Sequence, residues 1–187
     1  MSSKLKSILI TTFLTTIAII IIYFSWGDLT QFHLWQTVDT KLPALPNLSL
    51  FKIIHLLISL PVFIYGSFNV VFIIDANSKA HSSNLNPDII VKDGYYGKVR
   101  HPMYSMFILM ISSFAFAMSS WLTIPIAVGL ISLLMAFGLG EEKYILIPKF
   151  KEQYLQYKET VKQRYFLWYH LILIFMMLAF AIIGAFF

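Results

Sequence analysis

Long apolar runs separated by short polar segments dominate the pattern of this chain. A helix needs roughly 20 apolar residues to cross a bilayer, and several runs reach that length. The longest run has about twice the crossing length, and Ser119, Ser120 and Trp121 interrupt it, so it predicts a helical hairpin. The predicted spans are residues 7–26, 50–75, 103–119, 121–139 and 167–187. The pattern therefore predicts an all-α fold, an integral membrane helical bundle with about five transmembrane helices in one domain, 1–187.

The composition supports a membrane protein. Apolar residues make up 58% of the chain and charged residues 12%, whereas a soluble domain has nearer a quarter of charged residues. Lys4 and Lys6 precede the first run as in a signal peptide, but no small-residue cleavage site follows, so we expect a retained span. The absence of cysteine excludes disulfides and thiol nucleophiles.

The positions of the basic residues predict an orientation. With five spans, 12 of the 14 lysines and arginines fall on one side of the membrane. The positive-inside rule then places the N-terminus and residues 76–102 and 140–166 in the cytoplasm. Residues 27–49 become an external connector, which Pro43 and Pro46 predict to be irregular. Because the net charge of +5 is explained by orientation, we expect membrane lipids and no nucleic acid as partners.

The stretch GYYGKVRHPMYSMF, residues 94–107, turns from a polar loop into an apolar helix. Pro102 suits the first turn of a helix, and Gly94 and Gly97 permit unusual backbone angles or a close approach. Residues 94–101 are therefore predicted to be a tight loop that ends at a helix N-terminus, where an anion is favoured. Arg100 adds planar donors suited to a carboxylate.

Arg100, His101 and Tyr104 have two interpretations. Spacings of three and four residues place Tyr104 on one helical face with the other two, which suits a binding site. Alternatively, Arg100 anchors the helix by reaching for lipid headgroups, and His101 makes an ordinary interfacial hydrogen bond.

A second polar segment, GLGEEKYILIPKF, follows the hairpin. Carboxylates at the edge of a span are costly unless they are paired or exposed, so Glu141 and Glu142 either end the helix in water or place one carboxylate inward. Residues 149–165 are predicted to form a cytoplasmic amphipathic helix. Its apolar face consists of positions 150, 154, 157, 161 and 165.

The two segments together resemble the isoprenylcysteine carboxyl methyltransferase and phospholipid methyltransferase superfamily of membrane enzymes. GYYGKVRHPMY matches its Arg-His-Pro-x-Tyr motif, and GEE followed by a Phe and a Tyr-x-x-Tyr pair matches its Glu-Glu motif. The match covers residues 87–158. The resemblance implies a site for S-adenosylmethionine formed by Asp88, Ile89, Ile90, Val91, Tyr96, Arg100, His101, Pro102, Met103, Tyr104 and Glu142.

Within that resemblance, Arg100, His101 and Glu142 are the implied catalytic residues. Arg100 suits the cofactor carboxylate, and Glu142 suits its ammonium or its ribose hydroxyls. Tyr96 and Tyr104 offer aromatic faces to adenine or to the cationic sulfur.

Three positions depart from the superfamily pattern. The isoprenylcysteine enzymes have an arginine where this chain has Gly138, which makes a carboxylate acceptor less expected. Lys151 replaces the glycine that usually follows the Phe, a change expected to matter little. The chain also continues into a fifth span, 167–187, where the family pattern stops.

The resulting hypothesis is methyl transfer from S-adenosylmethionine to a lipophilic small molecule or lipidated acceptor at the cytoplasmic membrane face. A neutral acceptor needs a general base, for which His101 and Glu141 are candidates. The alternatives are a membrane reductase of the sterol-reductase type using NADPH, and a non-catalytic membrane protein.

The sequence assigns no definite role to several other polar residues. His55 and Tyr65 lie within the second predicted span and are candidates to meet the acceptor. His33, His81 and His170 are interpreted as surface or interfacial residues, and their spacing gives no metal-site signal.

Overall fold

A computed structural model describes residues 8–9, 11–17, 20, 41–42, 45–78, 88–118 and 123–186. Almost all of them are helical. The elements are β1 (Lys41–Leu42), β2 (Leu45–Ser49), α1 (Leu50–Ser78), α2 (Pro102–Met118), α3 (Thr123–Glu141), α4 (Ile147–Phe150), α5 (Glu152–Thr160) and α6 (Trp168–Phe186), with a π-helical turn at Glu142–Leu146 between α3 and α4.

The helical character predicted from the apolar runs is confirmed. Helices α1, α2, α3 and α6 coincide with the last four predicted spans to within three residues at each end. Of the first span, only residues 8–9, 11–17 and 20 are described, and these are helical. The break predicted at Ser119, Ser120 and Trp121 lies outside the described residues, as do His33 and His81.

Two helices are long and apolar enough to cross a membrane, by length and composition. They cover Ile53–Ser78 and Thr123–Phe150, with mean hydropathies of 2.1 and 2.0. The second differs from the first in that only 11% of its most apolar window is buried, against 39%. Most of the apolar surface of α3 is therefore turned away from the rest of the protein.

The region between the first two predicted spans departs from the irregular connector expected at 27–49. Strands β1 and β2 pair antiparallel, with Lys41 opposite Ser49. Pro46 lies within β2. The remaining residues of this region, 27–40 and 43–44, lie outside the described part.

Helix α2 lies at the centre of the bundle, because α1, α3 and α6 all contact it. Its buried side chains meet those of α1 and α6 in one apolar core. That core contains Val62, Val70, Ile73, Met106, Leu109, Phe116 and Met177. The central position fixes the start of α2, and with it the polar loop that leads into this helix.

The prediction of one amphipathic helix over 149–165 is wrong about the length of the helix and correct about which residues are buried. The helix breaks at Lys151, resumes as α5 and ends at Thr160, after which residues 161–167 are not helical. Four of the five predicted face positions are buried, namely Tyr154, Tyr157, Val161 and Tyr165. The chain leaves the helix because its backbone bonds instead to the loop before α2.

Lys151, which stands where the resemblance predicts a glycine, adopts a backbone conformation typical of glycine. It is the one non-glycine among the described residues with a positive φ, 46°, and its ψ is −121°. This region of backbone space suits glycine, because a Cβ is crowded there. The lysine therefore holds a strained turn between α4 and α5.

Candidate functional site

The loop before α2 has the tight form that its glycines predict. Gly94 has a φ of 61°, and a Cβ on Gly97 would lie 2.8 Å from the carbonyl oxygen of Lys92. Turn hydrogen bonds run from Tyr96 N to Asp93 O (3.1 Å) and from Val99 N to Tyr95 O (2.9 Å). The loop delivers Arg100 and His101 directly before Pro102, the first residue of α2.

The segment between α5 and α6 pins this loop in place. Arg100 N donates to Gln163 O at 3.0 Å, and His101 N donates to Arg164 O at 2.9 Å. The guanidinium of Arg100 reinforces the contact, since Nη1 donates to Val161 O (2.7 Å) and Lys162 O (2.8 Å). The amphipathic pattern predicts helix for residues 161–165 and therefore does not indicate this pairing.

Four side chains meet in a charged cluster, which consists of Arg100, His101, Glu142 and Arg164. Glu142 Oε1 accepts from Arg100 Nε at 2.9 Å, from His101 Nε2 at 3.1 Å and from Arg164 Nε at 3.2 Å. Arg164 Nη2 reaches Glu142 Oε2 at 3.3 Å. Arg100, His101 and Glu142 are all at most 6% exposed. The arginine and glutamate of the two sequence motifs are thus direct partners.

His101 lies between both glutamates of the second motif. Its Nδ1 is 3.5 Å from Glu141 Oε2, and its Nε2 is 3.1 Å from Glu142 Oε1. Burial by itself lowers the pKa of His101, but the hydrogen bonds and charges of Glu141 and Glu142 outweigh burial and raise the pKa above its ordinary value. The imidazole therefore holds its proton more readily than an exposed histidine.

A cavity opens beside the charged cluster, between the loop, the start of α2, the end of α3 and α5. Eight of the eleven residues predicted to bind the cofactor line it: Ile89, Ile90, Val91, Tyr96, Arg100, His101, Met103 and Tyr104. The other wall residues are Asn77, Glu141, Leu146, Tyr154 and Tyr157. The sequence segments predicted to form one site therefore face one cavity.

The remaining three predicted residues take other positions. Glu142 lies behind the wall in the charged cluster, and Glu141 takes its place on the cavity surface. Asp88 forms an exposed ion pair with Lys149 at 3.6 Å. Pro102 is buried as the first residue of α2. Adjacent residues of a helix point about 100° apart, which explains why only one glutamate reaches the cavity.

Helix α5 covers the cavity with two tyrosines. Tyr154 and Tyr157 are 1% and 4% exposed, and their ring centroids are 5.7 Å apart. Tyr157 Oη donates to the carbonyl oxygen of Tyr96 at 2.7 Å, which ties the helix to the loop. The amphipathic spacing of this segment predicted their common face but not the bond.

Tyr165 packs against His101 and α3. The two rings stack with centroids 5.5 Å apart, and Tyr165 Oη donates to Met135 O at 2.6 Å. A Cβ on Gly138 would lie 2.7 Å from that hydroxyl. The missing side chain at Gly138 therefore makes room for Tyr165 beside the site.

A second polar group, the tyrosine cluster, lies on the other side of the loop. It consists of Tyr65, Tyr95, Tyr169, His170, Asn69 and Ser105. Tyr95 donates to Asn69 Oδ1 at 2.9 Å, so Tyr65 donates at its 3.0 Å contact with Tyr95. Tyr65 Oη is also 3.3 Å from Tyr169 Oη.

His170 completes the tyrosine cluster from α6. Its Nε2 is 3.5 Å from Tyr65 Oη and its Nδ1 is 3.2 Å from Ser105 Oγ. The residue is fully buried, at 0% exposure, so its interpretation as a surface or interfacial histidine is wrong.

His55 on α1, which together with Tyr65 was a candidate to meet the acceptor, is also fully buried, at 0% exposure. Its ring packs on Phe116.

Comparison with known families, characterised proteins and solved structures returns no match to this chain.

Proposed function

We propose that this chain is an integral membrane methyltransferase that transfers a methyl group from S-adenosylmethionine to a lipophilic acceptor at the cytoplasmic face. One observation carries the proposal. The two sequence motifs, 42 residues apart at Arg100 and Glu142, meet at 2.9 Å beside a cavity whose wall contains Glu141 and most of the residues that the resemblance implies.

The residues of the cavity fit the chemical groups of S-adenosylmethionine. Three of the five N–H donors of Arg100 bond to described protein atoms through Nε and Nη1, and Nη2 is left for the cofactor carboxylate. The carboxylate of Glu141, 34% exposed, suits the ammonium. Tyr96, Tyr104 and Tyr157 supply aromatic faces for adenine or a cationic sulfur.

The size of the cavity implies that its walls separate when a ligand binds. Its volume is about 70 Å³, below the roughly 300–1,000 Å³ of typical ligand pockets. The wall at 88–91 lies outside the helices, and we propose that this segment moves to admit the ligand.

The roles of the wall residues follow from their charges. S-Adenosylmethionine supplies an electrophilic methyl group, whose bond to sulfur breaks as the bond to the acceptor forms. Arg100 and the loop hold and orient the ligand, which is the main requirement for an in-line displacement. Because the raised pKa of His101 favours its protonated form, His101 is poorly suited to act as a general base, and an acceptor that is already a nucleophile, such as an amine or a thiolate, fits the site better.

Apolar surfaces support a lipophilic acceptor and a membrane location. An apolar cavity of about 300 Å³ lies between α1, α2 and α3, where Phe63, Phe107 and Ile126 contribute to its wall. Phe107 is four residues, about 6 Å along the helix, from Met103 in the first cavity. The outward apolar side chains of α3, such as Phe137 at 56% exposure, suit a lipid environment.

Calorimetric titration of the detergent-solubilised full chain tests the proposal. We expect S-adenosylmethionine to bind in the micromolar range and NADPH not to bind. The substitution Glu141→Gln should weaken S-adenosylmethionine at least tenfold, because charge-assisted hydrogen bonds are worth about 1.5–3 kcal/mol. The matched control is Glu152→Gln on α5, since Glu152 is exposed and lies outside the cavity wall.

Methyl-labelled S-adenosylmethionine incubated with membranes containing the protein identifies the acceptor. We expect label in the lipid extract, and we expect Glu141→Gln to reduce it. Undetectable binding at millimolar S-adenosylmethionine contradicts the proposal, and binding of NADPH alone supports the reductase.

A further inference from the structure

Two adjacent tyrosines of the loop before α2 have different surroundings. Tyr95 belongs to the tyrosine cluster, where its hydroxyl donates to Asn69 Oδ1 at 2.9 Å and contacts Tyr65 Oη at 3.0 Å. Asn69 and Tyr65 are both residues of α1. Tyr96 instead lies on the wall of the cavity beside the charged cluster. The loop therefore carries one side chain that is fastened to α1 and a neighbouring side chain that faces the proposed ligand.

The backbone of the loop couples these two tyrosines. Tyr96 N donates to Asp93 O at 3.1 Å, and Val99 N donates to Tyr95 O at 2.9 Å. Val99 is fully buried, at 0% exposure, so the end of the turn is also held. Because the turn is closed by hydrogen bonds around residues 95 and 96, a displacement of Tyr95 displaces Tyr96 with it.

A second hydroxyl holds the loop from the side of the cavity. Tyr157 Oη donates to the carbonyl oxygen of Tyr96 at 2.7 Å. Tyr157 itself lines the cavity, so its substitution would change a ligand contact and the support of the loop together. Tyr95 is not among the described residues of that wall. Any effect of the Tyr95 hydroxyl on a ligand must therefore pass through its neighbour.

The ring of Tyr96 lies where its orientation affects a ligand. Burial and then the charge of Glu141 raise the pKa of Tyr96, so its hydroxyl stays protonated near the carboxylate that suits the ligand ammonium. An aromatic face attracts a cationic sulfur or stacks on adenine only within a limited range of distances and angles. A change in the tilt of this ring should therefore be measurable as a change in affinity.

We propose that Tyr95 is a positioning residue of the ligand site. Its hydroxyl fastens the loop to α1 and thereby sets the orientation of the Tyr96 ring towards the adenine or the sulfonium of bound S-adenosylmethionine. This inference rests on the proposed function. It gives the tyrosine cluster a part in ligand binding in addition to its contribution to stability.

The first test compares Tyr95→Phe with Tyr169→Phe by calorimetric titration of the detergent-solubilised full chain, well below the melting temperature of either variant. Each substitution keeps the ring and removes a hydroxyl that contacts Tyr65 Oη, at 3.0 Å for Tyr95 and 3.3 Å for Tyr169. Tyr169 belongs to α6 and not to the loop. Tyr95→Phe should weaken S-adenosylmethionine about three- to tenfold, the range of one neutral hydrogen bond, and Tyr169→Phe should leave the affinity unchanged. Equal losses for the two variants would show that affinity follows the stability of the cluster, and they would overturn the inference.

Asn69→Leu provides a second variant that leaves the sequence of the loop intact. It removes the acceptor on α1 that the Tyr95 hydroxyl uses, so we expect a loss of affinity similar to that of Tyr95→Phe. Normal affinity in both variants would overturn the inference.

A double-mutant cycle tests whether the effect passes through Tyr96. Tyr96→Leu removes the ring from the wall and keeps the backbone carbonyl to which Tyr157 donates. If Tyr95 acts through that ring, Tyr95→Phe should cause little further loss of affinity in the Tyr96→Leu background, because coupled residues are not additive. Additive losses would show that Tyr95 acts by another route, which contradicts the proposed positioning.

The outcomes separate this inference from the proposed function. If the wild type binds S-adenosylmethionine and Tyr95→Phe binds it equally well, the inference fails and the proposed function stands. If the wild type does not bind S-adenosylmethionine, the proposed function fails and the inference fails with it.

Discussion

Two buried polar clusters flank the start of α2, and each contains a buried histidine. In the charged cluster, His101 is 4% exposed and bonds to carboxylates. In the tyrosine cluster, His170 is fully buried and its partners are the hydroxyls of Tyr65 and Ser105. The loop joins the two clusters, because Tyr95 belongs to the tyrosine cluster and Arg100 to the charged cluster.

The difference in partners implies a difference in role. The charged cluster holds three buried ionisable groups, Arg100, His101 and Glu142, together with the partly exposed Arg164. Buried charges are rarely the most stable choice for a protein interior and are common at functional sites. The tyrosine cluster consists of neutral groups from α1, α2, α6 and the loop, which satisfy one another. We interpret it as the support that holds the loop while the charged cluster serves the cavity.

The largest expected effect comes from removing the carboxylate at the centre of the charged cluster. Glu142→Gln leaves Arg100 as a buried charge without its partner, and we expect a loss of about 3–5 kcal/mol in the free energy of unfolding. Chemical unfolding of the detergent-solubilised protein measures it. Glu152→Gln, at an exposed position of α5, should change stability by less than about 0.5 kcal/mol. A loss below about 1 kcal/mol for Glu142→Gln would show that the cluster is not held by its charges.

A matched substitution in the tyrosine cluster should lower the free energy of unfolding by less than Glu142→Gln does. Tyr65→Phe removes the hydroxyl that contacts Tyr95, Tyr169 and His170, and neutral hydrogen bonds contribute about 0.5–1.5 kcal/mol each. We expect a loss of about 1–2 kcal/mol in the same unfolding assay, because the remaining hydroxyls can rearrange. A loss as large as that of Glu142→Gln would erase the distinction between the two clusters.

A substitution in the strained turn before α5 should increase the free energy of unfolding, in contrast to the two substitutions above. Lys151→Gly should raise the free energy of unfolding by about 1 kcal/mol, because glycine relieves a positive φ that costs about 1–3 kcal/mol but adds freedom to the unfolded chain. Lys151→Ala keeps the Cβ and should give no such gain. Lys158→Gly, within α5, should instead destabilise by about 1 kcal/mol, and equal effects of the two glycines would contradict the strain.

The smallest expected effect is the pH dependence from His101. Its folded-state pKa is raised above the ordinary 6.5, so its stabilising contribution is complete below about 6.5 and is lost as pH rises through the folded pKa. Stability of the wild type relative to His101→Asn should therefore decrease between pH 6 and pH 9 in unfolding measurements. Parallel curves for the two proteins would show that the carboxylates do not hold a proton on this ring.

The apolar pattern was sufficient to predict the helices and their approximate ends, because length and hydrophobicity are local properties of the chain. The motifs also indicated which segments share a cavity, and Gly94 and Gly97 indicated the tight loop. The position of Glu141 on the cavity wall was harder to predict from the sequence, because the direction of one side chain within a helix depends on how far the helix extends.

The contacts between residues far apart in the sequence could not be predicted from local patterns. Arg164, Tyr165 and His170 have no local pattern that distinguishes them from interfacial residues. They become part of the site because 161–165 bonds to the backbone of residues 100 and 101. The missing side chain at Gly138 was the one available signal, and it marks the space that Tyr165 fills.

The bonds between residues 100–101 and 163–164 have a consequence for biosynthesis. Chains are made from the N-terminus, so Arg100 and Glu142 are both synthesised before the segment that closes around them. Until residue 164 emerges, the amides of residues 100 and 101 lack their acceptors and the glutamate lacks its second arginine. The charged cluster beside the cavity is therefore completed late, after α2 and α3, which lie between its two halves in the sequence, have already been made.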